Sequence, residues 1–267
     1  MIAGTRVFAL CVALLVLGGR PLGAEEVLTI PGTGASAVLL KALGDAFAKA
    51  RPGVTVDIPV SVGSGGGIKA AGEGKAELGR VARKLKEKEK GYGLVYVPFA
   101  RVPVVFAADP SVKLKGLTTT QVTDVFSGKV TDWKALGGPE KKIRLVVRPD
   151  GESTIDTLRA SLKPWAELKI TPQSKATDSE NQTAETLSTT DGALGYTVYD
   201  IAVKAGLTVF TLDGLKPTDD AYPAQMVFAL VHRADKLSGN AKEFIDFLFT
   251  PSAAKLIKAH GADPLPR

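Results

Sequence analysis

The chemistry in this chain is concentrated in three turns built from small residues, at positions 31–36, 63–67 and 148–154. Each follows a β-prone stretch and leads towards a helical pattern. The first turn of a helix carries backbone N–H groups without intrahelical acceptors, and the positive end of the helix dipole. Such an end attracts anions. Glycine lets a ligand approach the backbone, and serine or threonine adds a hydroxyl donor. Taken singly, each turn has a plainer reading: a linker at 63–67, an N-cap at Ser36, a turn with a surface ion pair at 148–151. Three of them in α/β units converge on one expectation, because ligands of such sheets sit beyond the carboxyl ends of the strands.

Arg148 is the cation the pattern places in the cleft. Its planar fork can grip two oxygens of a tetrahedral anion, and Asp150 is expected to hold it in that pose. A buried arginine needs such a partner, since an unpaired buried charge is costly.

Strands and helices alternate through most of the chain, which predicts an α/β architecture. Positions 27–30 read as a strand, and Leu39, Leu40, Leu43, Ala46, Phe47 and Ala50 mark one face of a helix. Residues 54–60 alternate as a half-buried strand. The glycine run 63–67 is expected to be a loop leading into a helix at 68–74. A long β-rich stretch, 94–107, is interrupted by Pro98 and Pro103, which confines it to an edge, a bend or a crossing segment. It is read as the chain passing from a first lobe to a second, with 226–231 as the return. Helices are expected at 118–126, 153–162, 240–249 and 252–259, and strands at 143–147, 193–196 and 207–212. The run 83–90 alternates lysines with glutamates and reads as a solvated segment.

The start of the chain is organised differently. One arginine in residues 1–6, an apolar run at 7–19 and Gly23-Ala24 before two glutamates describe a secretory signal peptide over 1–24. The apolar run is too short for a membrane span. Cys11, the one cysteine, lies in that run and is expected to leave with it. The exported chain then has neither thiol nor disulfide and must rely on its core. The formal net charge of +6 falls when Arg6 and Arg20 are removed. A mild, scattered positive excess suits a small anion and does not predict nucleic-acid binding.

At the three turns the chain resembles the substrate-binding proteins of phosphate-specific ABC transporters, which are type II periplasmic binding proteins. The residues carrying the resemblance are Gly32-Thr33-Gly34-Ala35-Ser36, Gly63-Ser64-Gly65-Gly66-Gly67-Ile68-Lys69, Thr131-Asp132-Trp133 and Arg148-Pro149-Asp150-Gly151-Glu152-Ser153-Thr154. Ala193-Leu194-Gly195-Tyr196 and Tyr222-Pro223 fit later strands. The resemblance implies an α/β fold of two lobes, each a mostly parallel sheet flanked by helices, with two crossing strands as hinge. The expected division is 25–104 with 226–267 for lobe 1, and 105–225 for lobe 2. It also implies that Ser36 and the backbone at Ala37, with Ser64 and Gly65, bind the anion from one lobe. Arg148, Ser153 and Thr154 bind it from the other, while Asp150 orients the arginine. The implied ligand is inorganic phosphate or a similar oxyanion. The implied partners are a permease and its ATPase, and the implied place is the periplasm; a monomer with no cofactor and no metal is expected.

Two departures from that pattern bear on the ligand. The family's phosphate binders place an aspartate where this chain has Ala82, to accept the proton of hydrogen phosphate, and a serine where it has Glu152. Two resolutions stay open. Glu152 supplies the acceptor from the opposite lobe, or Arg80 or Arg83 enters the site and the ligand is another oxyanion: sulfate, molybdate, tungstate or a phosphonate. The plainer place for Arg80 and Arg83 is the solvated surface.

Enzymes are disfavoured on inventory. There are only two histidines, His232 and His260, both read as surface or capping residues, and no Gly-x-Ser-x-Gly elbow. An oxyanion sensor reporting to a receptor would use the same lobe closure as a transporter subunit.

Overall fold

The computed structural model describes residues 26–267. The expected signal peptide, 1–24, and Cys11 lie outside the described residues.

The chain begins with β1 (Glu26–Thr29), α1 (Ala37–Ala50), β2 (Val54–Asp57), α2 (Gly63–Gly72) and β3 (Gly79–Val81). β1 and β2 pair in parallel. Beyond β1 the chain stays extended and Gly32 bridges Arg80 in parallel, so β3 joins the other side of the same layer. α1 buries Leu39, Leu40, Leu43 and Phe47, the stripe its spacing predicts. That stripe also receives the C-terminal helices, α7 (Gly239–Phe247) and α8 (Pro251–Ala259). Phe47 stands edge-on to Phe244, with ring centroids 5.3 Å apart.

β4 (Leu94–Ala108) is the long crossing strand. Its first part pairs antiparallel with β11 (Gln225–Arg233), from Arg233 opposite Leu94 to Gln225 opposite Pro103. Its last residues pair with β8 (Ala193–Val198) instead. The register slips between Phe228 and Ala229, which face Ala100 and Pro98, so Phe99 is the extra residue of a bulge. Pro98 has no N–H to give the ladder, and a bulge beside it leaves none missing. The prolines therefore mark a bend in a central crossing strand and not a sheet edge.

The second half adds β5 (Gly116–Leu117), α3 (Thr119–Phe126), β6 (Arg144–Val147), α4 (Ser153–Ser161), β7 (Ser174–Ala176), α5 (Glu180–Thr189), α6 (Tyr199–Lys204), β9 (Thr208–Val209) and β10 (Thr211–Leu212). β6 lies parallel between β8 and β7. Phe106, Phe126, Trp165 and Tyr196 form one aromatic cluster beneath this layer, with Phe126 and Trp165 4.9 Å apart. β12 (Asp263–Pro264) returns to pair with β4.

Each half is thus a parallel layer bordered by antiparallel crossing strands, with helices on its faces. Three expectations are corrected. The glycine run 63–67 is not a loop: α2 starts at Gly63 itself. Glycine is a poor helix former, but here it is needed for close approach. A Cβ on Gly67 would sit 2.8 Å from the Arg80 carbonyl oxygen and 2.9 Å from the Gly32 Cα. The stretch 207–212 is two short strands, β9 pairing with β4 and β10 with β5. The run 83–90 is not simply solvated, because Glu89 is buried and both its carboxylate oxygens accept from Arg83 at 2.8 Å.

Candidate anion site

The amino ends of α2 and α4 meet across the two halves. The Ser64 and Ser153 hydroxyls are 3.0 Å apart, and the Ser64 oxygen also accepts the Ala82 N–H at 3.1 Å. Ser153 opens α4, whose preceding residue is Glu152. A Cβ on Gly63 would come 3.9 Å from Glu152 Oε1, so that carboxylate lies at the amino end of α2. Gly65 faces Arg83, whose Nη2 would stand 3.8 Å from a Cβ there. On the first turn, Ser36 is fully buried and its hydroxyl oxygen hydrogen-bonds to nothing among the described residues. The Ala37 amide donates to the Gly34 carbonyl at 3.1 Å, so it is engaged within its own turn.

Arg148 follows β6 and is only 4 % exposed. Its amide donates to the Tyr196 hydroxyl at 3.0 Å, and that hydroxyl donates back to the Arg148 carbonyl at 3.2 Å. One guanidinium arm donates to the Thr177 carbonyl. A second, Nη2, lies 3.1 Å from Glu152 Oε2. Nε is 3.6 Å from Glu180 Oε1, too long for a hydrogen bond, and makes none among the described residues. Buried Glu180 opens α5 and accepts from the Thr154 hydroxyl at 2.8 Å and the Thr197 hydroxyl at 2.7 Å. Burial pushes its carboxyl pKa upwards, against the Thr197 hydrogen bond and the Arg148 charge.

The partner of Arg148 is therefore not the expected one. Asp150 turns outward and binds Arg159 at 2.8 Å, its side chain 79 % exposed. The tight turn after β6 carries Asp150 towards α4's far flank, and the arginine is held by Glu180 and Glu152 instead. Thr154 likewise spends its hydroxyl on Glu180. Sequence reasoning missed Glu180 together with α5: the buried face of α5 is mostly threonine and alanine, so the apolar periodicity is weak. The Ser179-x-x-Gln182 cap was a signal that could have found the helix, since Ser179 Oγ accepts the Gln182 N–H.

Arg80 does not enter the site, and neither arginine is on the surface. Arg80 is fully buried, and its guanidinium donates to the carbonyls of Thr33 at 2.7 Å, Pro59 at 2.7 Å and Ile30. It fastens the first turn to the end of β2. Burial lowers its pKa to about 10, with nearby Asp57 opposing the shift. Arg83 lies at the site's edge, paired with Glu89. His232 is buried on β11, not at the surface as expected, whereas His260 caps α8. Trp133 is part of the core and donates from Nε1 to the Gly192 carbonyl at 2.9 Å.

The arrangement brings the amino ends of α2 and α4 together across two halves, and Glu152 links them to the Arg148 guanidinium. The two halves, each a sheet flanked by helices and joined by crossing strands, have the architecture of a two-lobed binding protein. Residues 20–252 match the family model described as the PBP superfamily domain. The phosphate-binding protein PstS of Bacillus subtilis is 31 % identical over 244 residues, spanning 88 % of this chain and 79 % of that protein. A Clostridium perfringens structure, described as a phosphate ABC transporter substrate-binding protein with bound phosphate, superposes with a TM-score of 0.81 at 27 % identity. It covers 90 % of this chain and all of that one. An ABC-type phosphate transport receptor from Vibrio cholerae shares the fold, with a TM-score of 0.66 at 24 % identity over 90 % of this chain and all of that one. The chain belongs to the PBP superfamily and, within it, to the PstS family of binding proteins. Among the described residues no helix is long and apolar enough to cross a membrane.

Proposed function

We propose that this chain is an exported, non-enzymatic solute-binding protein that closes on one phosphate ion and hands it to an ABC importer. The observation that carries this is the meeting of two helix amino ends, at Ser64 and Ser153, with Glu152 linking them to buried Arg148. Closure removes water from the anion, and preorganised amides, hydroxyls and the guanidinium take water's place. Ser36, Ser64, Gly65, Ser153 and Thr154 supply hydroxyl or amide donors, and Ala37 marks the amino end of α1. Arg148 supplies the charge, with Arg83 nearby from the other half. The lobes are 25–104 with 226–267, and 105–225, hinged where β4 and β11 cross. Residues 1–24 direct export to the periplasm, where the monomer meets its permease and ATPase.

Glu152 occupies the place beside Arg148 that an incoming anion needs. At about 4 Å and an effective dielectric near 20, two like charges repel by about 4 kcal/mol. A fully ionised anion meets that repulsion, whereas hydrogen phosphate can donate its proton to the carboxylate. That favours phosphate over sulfate despite Ala82.

Isothermal titration of the anion-free protein with inorganic phosphate tests the proposal. One phosphate per chain is expected, and Arg148→Ala should weaken it at least 100-fold while the circular dichroism spectrum stays unchanged. No heat with wild type, or the same dissociation constant in the variant, removes the site.

A further inference from the structure

One carboxylate oxygen near Arg148 lies within reach of two donors. Glu180, the first residue of α5, is buried, and its Oε2 is anchored by the Thr197 hydroxyl of β8 at 2.7 Å. Its Oε1 accepts from the Thr154 hydroxyl at 2.8 Å and stands 3.6 Å from Arg148 Nε. That second separation is roughly 0.7 Å beyond an ordinary N–H···O hydrogen bond. Thr154 is fully buried on the first turn of α4, and its hydroxyl has a single hydrogen, which this contact uses. Arg148 is anchored through its two terminal nitrogens, by the Thr177 carbonyl and by Glu152, and Nε is a buried donor without an acceptor among the described residues. Buried donors are nearly always satisfied. Pairing a guanidinium N–H with a carboxylate adds the attraction of opposite charges to the hydrogen bond. An open Nε beside a carboxylate oxygen that a neutral hydroxyl occupies therefore marks a contact that this state of the protein withholds.

We infer that Glu180 is a positioning residue that exchanges partners when the anion binds: the Thr154 hydroxyl turns from Glu180 Oε1 to the anion, and Arg148 Nε takes the vacated oxygen. The inference rests on the anion site proposed above. Thr197 holds Oε2 in both states, so Oε1 has only to swing about that anchor. The exchange makes two donors act together. Thr154 serves the anion at no loss of a buried hydrogen bond only because Arg148 covers the oxygen it leaves. The same step fixes the guanidinium at Nε as well as at the Thr177 carbonyl. Its remaining N–H groups then hold one direction, as a planar fork must to grip two oxygens.

The test joins titration with inorganic phosphate to the NMR signal of the Arg148 Nε–H group, assigned by its loss in Arg148→Lys. In anion-free wild type that proton has no acceptor, and phosphate should move it downfield as the bond to Glu180 forms. Thr154→Val vacates Oε1, so its anion-free spectrum should already show the downfield position. It should also bind phosphate at least tenfold more weakly, for want of the hydroxyl. Thr154→Ser restores the hydroxyl and should bring both readings back, with affinity within about threefold of wild type. Glu180→Asp keeps the charge and withdraws the acceptor by one methylene, and phosphate should then leave the signal where it is. A merely structural Glu180 predicts no link between the side chain at position 154 and the Arg148 proton. Phosphate binding with the wild-type signal unmoved, or an anion-free Thr154→Val signal at the wild-type position, overturns the inference and leaves the phosphate reading standing. An equal downfield shift in Glu180→Asp does the same. No phosphate binding by wild type removes the phosphate reading and this one with it.

Discussion

At the residue scale, the site is decided by which carboxylate sits beside which cation. Asp150 is two positions from Arg148 and bonds Arg159, while Glu152 and the distant Glu180 take the guanidinium. Replacing Glu152 by glutamine keeps the size and removes the charge. Sulfate affinity should then rise at least tenfold and the preference for phosphate should shrink, read by competitive titration at fixed pH. An unchanged phosphate-to-sulfate ratio would show that Glu152 takes no part in selection.

Asp200 makes a prediction of a different kind. It is buried on α6, Oδ1 accepts the Ile201 N–H at 2.8 Å, and Oδ2 has no partner among the described residues. Burial lifts its pKa from 3.8 to about 6, with the Ile201 amide, His260 and Lys204 pulling the other way. A carboxyl whose pKa is higher in the fold stabilises the fold while protonated. That contribution is complete below pH 3.8 and is lost as pH rises through about 6. A shift of two units corresponds to about 3 kcal/mol. Asp200→Asn should therefore gain stability over wild type at pH 7 by more than at pH 4.5, in urea unfolding. Parallel curves for the two proteins across that range would refute it.

At the element scale, α2 shows packing overruling propensity. Its first turns are glycine-rich, and a single Ala there would ordinarily favour a helix by about 1 kcal/mol. At Gly67 the added methyl meets three backbone atoms, the carbonyls of Arg80 and Pro31 and the Gly32 Cα, all within 3.0 Å. Backbone cannot yield as a side-chain tip can, so overpacking of about 1–3 kcal/mol wins. Gly67→Ala should lower the urea midpoint and weaken anion binding together, since α2 carries Ser64. An unaltered midpoint would mean that β3 moves aside easily. Arg80, which ties the first turn to β2 through three carbonyls, belongs to the same rigid platform.

At the scale of the whole molecule, polar contacts between the halves at the site include, among the described residues, the Ser64–Ser153 contact and the Lys86–Asp156 pair. An exposed ion pair contributes about 0–1 kcal/mol, so the Lys86–Asp156 pair adds little to closure. On the proposed function, bound anion would add closing energy through its differential affinity for the closed form. Small-angle scattering should show a larger radius of gyration without anion, falling towards the ~18 Å of a compact chain this long when phosphate is added. Identical curves would argue against hinge closure on phosphate.

Much of this was legible in the chain itself. The period of Leu39, Leu43 and Phe47, the alternation after β1, and the hydroxyl-rich turns at 31–36, 63–67 and 148–154 are local patterns. They specified α/β units with helices following these turns, because capping and burial act between near neighbours in sequence. Prolines 98 and 103 marked the crossing strand but not the bulge that accommodates it. What only the tertiary structure decided is long-range pairing. Glu180 reaches Arg148 across the parallel strands, Arg80 turns inward to carbonyls far from it in sequence, and a cavity beside Ala82 is walled by α4, β4 and β11 together. Such contacts depend on how the sheets stack and how one half closes on the other, and no spacing along the chain records that.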